Sequence, residues 1–328
     1  MKTILYDSSD LSEIIKQLKL GELIAFPTET VYGLGADATN ESAVKNVFCV
    51  KNRPLDNPLT INVSGVKMLN MYVSNISTPV LKLLKYFWPG PLTVILNAPN
   101  KFLDIITNGN VNVGFRCPSN KIANAIIDGL GNAMVGPSAN ISGKPSPLTK
   151  EHVLHDLNGK IKGIVTNDES PLGIESTILD CTKVPFEIIR PGVVSKEEIE
   201  TILQQKTIQN TEGQKSLKHK HYQTSNQLVM VHKEDWNKVQ EYVNQTNSKT
   251  FGILATKKIL SMFHNEKNIK RFSLGSNVKD ATSNLFNGLR FFDDQVNVLK
   301  VFVQTFNGPD SDAYMNRLKS SANDVFFN

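Results

Sequence analysis

Apolar residues along the chain alternate between extended and helical spacing, which predicts repeated strand–helix units and an α/β fold. Leu11, Ile14, Ile15 and Leu18 share one face of a helix over 10–20, and Gly21 closes it. The apolar run 23–26 reads as a short strand, and Pro27, with no N–H to give, ends its ladder. A polar turn follows, Thr28-Glu29-Thr30, and then Tyr32 and two glycines, Gly33 and Gly35, which let the backbone approach something closely. A buried strand that empties into hydroxyls and glycines is how α/β proteins floor a ligand site at their carboxyl ends. An ordinary glycine-rich connection would read the same way.

Helical spacing returns over 41–49, over 78–87 ahead of Trp-Pro-Gly-Pro at 88–91, and over 121–130. Between these helices PLTVILNA and VNVGFRCP read as strands, NAMVGPSANISGKPSP carries a strand into a loop, and 161–165, GIESTILD and FEIIRPGVV add three more. Beyond residue 224, QLVMV, TFGILAT and VNVLKVFVQ are strands, and 236–243 and 279–292 are helices. That second half has no polar constellation of its own, so its Met and aromatic positions read as core.

Composition changes the picture in two places. With 328 residues, 40% hydrophobic and 20% charged, the chain exceeds one core and is ordinary for a globular protein of two domains. The 3 cysteines, Cys49, Cys117 and Cys181, are scattered with no CxxC spacing, which argues against a zinc site or a disulfide framework. With no signal-like N-terminus and no run of about 18 apolar residues, the expectation is a cytoplasmic protein. The net charge of +5 is uneven, −1 over the first 200 residues and +6 over the rest.

The second change concerns arginine. The first 200 residues use Lys for positive charge and hold only Arg53, Arg116 and Arg190, each within two residues of a proline. Arginine kept against such a background suggests bidentate recognition of phosphate or carboxylate. Lys51 and Arg53, two apart in KNRP on what reads as an extended segment, would share one face and suit a polyphosphate. Asn112, Gly114 and Arg116 share a strand face, with Arg116 at the strand end. Ser138 and Asn140 are two apart in a loop, Ser146 lies between prolines, and Ser176-Thr177 interrupt an apolar strand. Hydroxyls and amides so placed offer donors and acceptors to phosphate, ribose or base. Two short motifs are coincidences: GNAMVGPS has Pro137 where a phosphate-binding loop needs Lys, and GLGADA begins seven residues past the strand end.

PTETVYGLGADA, KNRP, the SAN of PSAN, GIEST and IIRPG occur in the order of the YrdC-like threonylcarbamoyl-AMP synthases. The chain resembles that family from about 21 to 194. LGS at 274–276, LFNGLRFFD at 285–293 and YMNRLKSSA at 314–322 are similar to the extra domain of its long form. The resemblance implies a YrdC-like twisted mixed sheet with a concave active-site cleft over 1–205, a linker or lid over 206–224, and a smaller Rossmann-like α/β domain over 225–328.

The implied activity joins L-threonine, bicarbonate or carbon dioxide and ATP into threonylcarbamoyl-adenylate with release of pyrophosphate. A partner threonylcarbamoyl-transferase complex then modifies tRNA. Thr28, Tyr32, Asn112, Arg116 and Ser176 are the implied threonine residues. Lys51 and Arg53 are the catalytic pair, and with Ser138, Asn140, Ser146, Arg190, Lys220, His221 and Tyr222 they would hold ATP. Mg²⁺ would travel with ATP, no tightly bound cofactor is expected, and neither is a membrane partner; a weak tRNA contact is. Glu29 has no assigned role.

Two departures stand out. Asn62 occupies the place of the family histidine, and the linker KSLKHKHYQT over 215–224 lacks the usual Pro-Gly and closing Pro, predicting a lid of reduced function. The readings of other classes are a non-catalytic double-stranded RNA or tRNA-binding module of the same fold, and a hydrogenase-maturation carbamoyl-transfer domain. The acid-balanced surroundings of the three arginines disfavour the first. The second would carry zinc-finger and acylphosphatase-like segments.

Overall fold

The apolar run expected as a strand forms β2 (Ile24–Phe26) in the computed structural model, and its partner is the segment expected to be a loop. Gly33–Asp37 is β3, antiparallel to β2 with Phe26 opposite Gly33 and Ile24 opposite Gly35. The glycines therefore serve the sheet. A Cβ on Gly33 would stand 2.8 Å from Cζ of Phe26, and one on Gly35 3.1 Å from its Cε1, so the Phe26 ring lies across both.

The structure describes residues 2–166, 170–209, 221–246, 249–264, 266 and 268–327. They form two units, Met1–Ser142 with Ser146–Ser216, and Gly143–Pro145 with Leu217–Asn328. In the first unit the remaining strands are β1 (Ile4–Tyr6), β4 (Ile61–Asn62), β5 (Leu92–Asn97), β6 (Asn112–Arg116), β7 (Met134–Val135), β8 (Gly163–Val165), β9 (Thr177–Asp180), β10 (Glu187–Arg190) and β11 (Ile208–Gln209). They build one mixed sheet in the order β1-β8-β2-β3-β7-β4-β6-β5-β9-β10-β11.

Helices pack where the stripes placed them. Leu11–Lys19 buries Ile14 and Leu18. Thr78–Phe87 buries Val80, Leu83 and Leu84 and carries a proline in its first turn, where a missing N–H costs nothing. Lys121–Leu130 is capped by the Asn120 side chain and closed by Gly131 in the left-handed region. One helix corrects a sequence expectation. Glu41–Lys51 runs two residues past the predicted end, and Asn52, at φ 49°, closes it. Lys51 is thus the last residue of a helix, and the left-handed turn at Asn52 separates it from Arg53. The two cations do not share the face of an extended segment.

The second unit is a parallel sheet of β12 (Gln227–Val231), β13 (Thr250–Ala255), β14 (Ile269–Ser273) and β15 (Val298–Gln304), in the order β12-β15-β13-β14. Helices Trp236–Gln245, Val278–Asp293 and Asp312–Ala322 accompany it, which gives the Rossmann-like α/β arrangement. Its aromatic positions are core as expected: Trp236, Phe251, Phe263 and Phe302 are all at or below 2% exposure. Among the described residues no helix is long and apolar enough to cross a membrane.

Candidate active site

Three neighbouring strands bring polar side chains into one row. Arg116 ends β6; its partner on β4 is Asn62 and its partner on β5 is Thr93. Register partners point to the same face of a sheet. All three are buried in an otherwise apolar sheet, which is the arrangement expected of a ligand floor rather than of a core.

The Arg116 guanidinium is held from one side. Its Nη2 donates to Oε1 of Glu29 at 2.7 Å, and the backbone N–H of Ser119 donates to the other oxygen, Oε2, at 3.1 Å. Both side chains of the pair are 10% exposed. Arg116 Nε is buried with no hydrogen-bond partner among the described residues. On the neighbouring strand β5, the hydroxyl of Thr93 lies 2.8 Å from that of Ser176. Arg190 Nη2 donates to the Ser176 carbonyl at 2.8 Å and reaches its Oγ at 3.4 Å. The Thr93–Ser176–Arg190 contacts extend the row across β9 and β10.

The sequence picked Arg116, Ser176 and Arg190 and missed two of their neighbours. Thr93 sits inside PLTVILNA, where a β-branched residue looks like any strand former. Glu29 was seen without a role; its signal was a carboxylate placed between two hydroxyls in a segment too apolar to leave it in water.

The other threonine-site candidates divide. Thr28 is buried, but its hydroxyl serves the turn: it accepts from the N–H groups of Thr30 and Val31 at 3.2 Å and donates to the Val31 carbonyl at 2.6 Å. Tyr32 is 1% exposed, and its backbone joins two loops, N–H to the Pro147 carbonyl at 2.9 Å and carbonyl to the Ala139 N–H at 2.8 Å. Asn112 is exposed at the opposite end of β6 and accepts from Asn97 Nδ2 at 3.3 Å. Alternation put it on the right face, but four residues of strand carry it about 13 Å from Arg116. The structure does not bring Asn112 to the cluster.

Two of the nucleotide candidates, Ser138 and Asn140, meet a third at a buried lysine. Lys51 is 1% exposed, and its ammonium donates to the backbone carbonyls of Ser138 and, at 2.6 Å, Asn140. Ser142 N–H returns a bond to the Lys51 carbonyl at 2.7 Å. The end of one helix thereby holds the PSAN loop. Asn140 is 4% exposed and donates from Nδ2 to the Ile141 carbonyl at 2.8 Å. Arg53 donates to the Asn57 and Pro58 carbonyls at 3.1 and 2.8 Å and to Asn57 Oδ1 at 2.7 Å. Burial pushes its guanidinium down to about 10, which leaves it charged at neutral pH.

Ser146 Oγ donates to Glu175 Oε1 at 2.6 Å, both buried; Glu175 is a further residue that sequence reasoning passed over in favour of the serine beside it. Lys220 lies outside the described residues. His221 and Tyr222 belong to the second unit, where the Tyr222 ring packs 5.1 Å from Phe286 and its backbone takes φ 58°. In that unit Arg290 donates to the Pro145 carbonyl at 2.6 Å and Lys144 pairs with Asp293 at 2.8 Å, fixing the tripeptide before Ser146.

Two family models cover the chain: Sua5/YciO/YrdC, described as telomere recombination, over residues 16–192, and the threonylcarbamoyl-AMP synthase C-terminal domain over 194–323. The chain belongs to the Sua5/YciO/YrdC family. It is 36% identical to the threonylcarbamoyl-AMP synthase of Pyrococcus abyssi over 289 residues, covering 84% of this chain and 83% of the relative. It is 34% identical to that of Bacillus subtilis, covering 93% and 90%. The crystal structure of Pyrococcus abyssi Sua5 complexed with L-threonine matches with a TM-score of 0.90 at 32% identity, covering 99% of this chain and 100% of that one. The two-unit arrangement, a large mixed sheet followed by a small parallel one, is the Sua5 fold.

Proposed function

We propose that this Sua5-family chain is a threonylcarbamoyl-AMP synthase, joining L-threonine, bicarbonate or carbon dioxide and ATP into L-threonylcarbamoyladenylate and pyrophosphate. The observation that carries the reading is the buried Nε of Arg116, a charged donor with no acceptor among the described residues, in one row with Asn62 and Thr93. A buried donor without a partner calls for an acceptor from outside the chain, and an amino-acid carboxylate supplies the planar geometry that a guanidinium binds best. The synthases of Pyrococcus abyssi and Bacillus subtilis, alike over most of their lengths, carry the same name.

In this reading Arg116 clamps the threonine carboxylate, with Ser176 and Thr93 as hydroxyl partners and Tyr32 behind them. The neutral threonine amine attacks carbon dioxide, a C–N bond forming as one C–O π bond opens, and loses a proton to water to give the carbamate. A carbamate oxygen then attacks the α-phosphate of ATP in line, one P–O bond forming as the bond to pyrophosphate breaks. Arg53 and Arg190 offset charge on the phosphates, and Ser138, Asn140 and Ser146 hold the nucleotide. Lys51 acts first by placing the loop that carries Ser138 and Asn140. No covalent nucleophile is needed. Rate comes from holding reactants in place, worth about 7–11 kcal/mol at best, and from preorganised charge. ATP enters as its Mg²⁺ complex, the ion being carried by the phosphates. The product passes to a threonylcarbamoyl-transferase complex acting on tRNA.

Pyrophosphate release from ATP and bicarbonate, measured with and without L-threonine, tests this. Release should require threonine and yield the adenylate by mass; release that ignores threonine, or none, rules the reading out.

A further inference from the structure

We propose that Glu29 is the positioning residue for the amino-acid clamp: it fixes the Arg116 guanidinium in the orientation that presents its remaining donors to the substrate carboxylate. The inference rests on the assignment of Arg116 to threonine made above and concerns a residue to which that assignment gives no task.

Arg116 is held at one edge. Its side chain makes one hydrogen bond among the described residues, from Nη2 to Glu29 Oε1 at 2.7 Å, and Nε is buried with no acceptor. A guanidinium turns about several bonds, and one contact on one edge is what selects its plane. Glu29 is itself fixed, because Ser119 N–H donates to its second oxygen at 3.1 Å. Ser119 lies three residues beyond Arg116, just past the end of β6, so the carboxylate bridges the arginine and the backbone that carries it. The whole arrangement is buried, with Glu29 at 8% and Arg116 at 8% exposure. A charge taken this far from water needs a counter-charge, and Glu29 provides it while leaving the Nε edge unspent.

The geometry also separates this role from an obvious competitor, that Glu29 takes a proton from the threonine amine. Each Glu29 oxygen already accepts from a protein donor, and both donors belong to the structure that holds Arg116. Its carboxylate is oriented toward the clamp and acts through it.

The experiment measures steady-state pyrophosphate release against L-threonine and against ATP for wild type, Glu29→Gln and Glu29→Asp, with calorimetric binding of L-threonine alone. Losing one charge-assisted hydrogen bond of this kind weakens binding by about tenfold or more. The expected result is therefore a threonine KM and Kd raised about tenfold in Glu29→Gln, a kcat within about threefold of wild type, and an unchanged ATP KM. Glu29→Asp keeps the charge and should recover part of the loss. A collapse of kcat at unchanged threonine KM would overturn the proposal in favour of proton transfer by Glu29, and unchanged threonine binding would overturn it outright. Should Glu29→Gln fail to fold, Glu29→Asp decides alone, since wild-type threonine affinity in that variant at lowered kcat contradicts a positioning role. Threonine-independent release by wild type would instead count against the synthase reading itself.

Discussion

The Lys51 ammonium donates to the backbone carbonyl of Asn140 at 2.6 Å across 89 positions of sequence. A second bond, to the Ser138 carbonyl, makes this lysine the support of the loop bearing two nucleotide candidates. A fully buried lysine is rare, and burying one is costly unless its protons are all but spent. It is the last residue of its helix, and the left-handed turn at Asn52 separates it from Arg53.

Lys51→Met keeps the volume and removes the donors: the Asn140 carbonyl loses its bond to the ammonium, while the Ser138 carbonyl still accepts from the Asn140 N–H at 3.0 Å. A lost charge-assisted bond of this kind costs on the order of 1–3 kcal/mol, and in a unit of this size each kcal/mol lowers Tm by about 2–4 °C. The variant should melt several degrees lower by calorimetry and lose pyrophosphate release, whereas Arg53→Ala should raise the ATP KM with a smaller change in Tm.

Gly192 of the RPG segment approaches backbone and not side chain. A Cβ there would stand 2.4 Å from the Ser176 carbonyl carbon and from the Thr177 nitrogen, and 2.6 Å from the Glu175 carbonyl oxygen. Backbone in a sheet cannot move aside as a flexible side chain can, so Gly192→Ala should destabilise by about 1–3 kcal/mol or more. Because the displaced residues carry Ser176 and Glu175, the threonine KM should rise as well. Gly136→Ala makes the contrast: its nearest neighbour is the Asn62 side-chain amide and not backbone. Thermal denaturation of both variants distinguishes the two, the first falling well below the second.

The three thiols differ in reactivity. Cys49 is exposed, Cys117 is buried and Cys181 is half-buried. Burial pushes the Cys117 thiol up to about 11 and the Cys181 thiol higher still, so neither forms appreciable thiolate near neutrality. An aromatic disulfide reagent at about pH 8 should titrate one fast thiol, lost in Cys49→Ser. For Cys117 the folded value lies above the ordinary 9.0, so its contribution to stability is complete below that value and is lost as pH rises toward about 11. Wild-type stability should decline relative to Cys117→Ala across that interval, as read from denaturant midpoints.

The chain's own pattern determined a good deal. Helices over 78–87 and 121–130 have the boundaries read from their apolar stripes, because each has a proline, asparagine or glycine at its end that acts locally. The scarce arginines could be singled out as ligand candidates for a similar reason: strand ends and prolines are local features, and residue choice against a lysine background is visible without a fold. Two of the three lie on the same sheet: Arg190 bonds the Ser176 carbonyl, the Ser176 hydroxyl meets that of Thr93, and Thr93 is the register partner of Arg116.

What only the tertiary structure decided is which side chains face one another across the sheet. Gly33–Asp37 became a strand because Phe26 needs two glycines beneath its ring, a requirement set by the partner strand. Asn112 shares a face with Arg116 yet lies a strand length away, since alternation fixes the face and says nothing of distance. Lys51 turned inward because carbonyls from another part of the chain were waiting for it. Glu29, the acid in the opening turn that the sequence left without a task, meets Arg116 across 87 positions. Periodicity, caps and turns act over a few residues and are written locally. The pairing of a buried carboxylate with a buried guanidinium depends on strand order and register, and those exist only once the chain has folded.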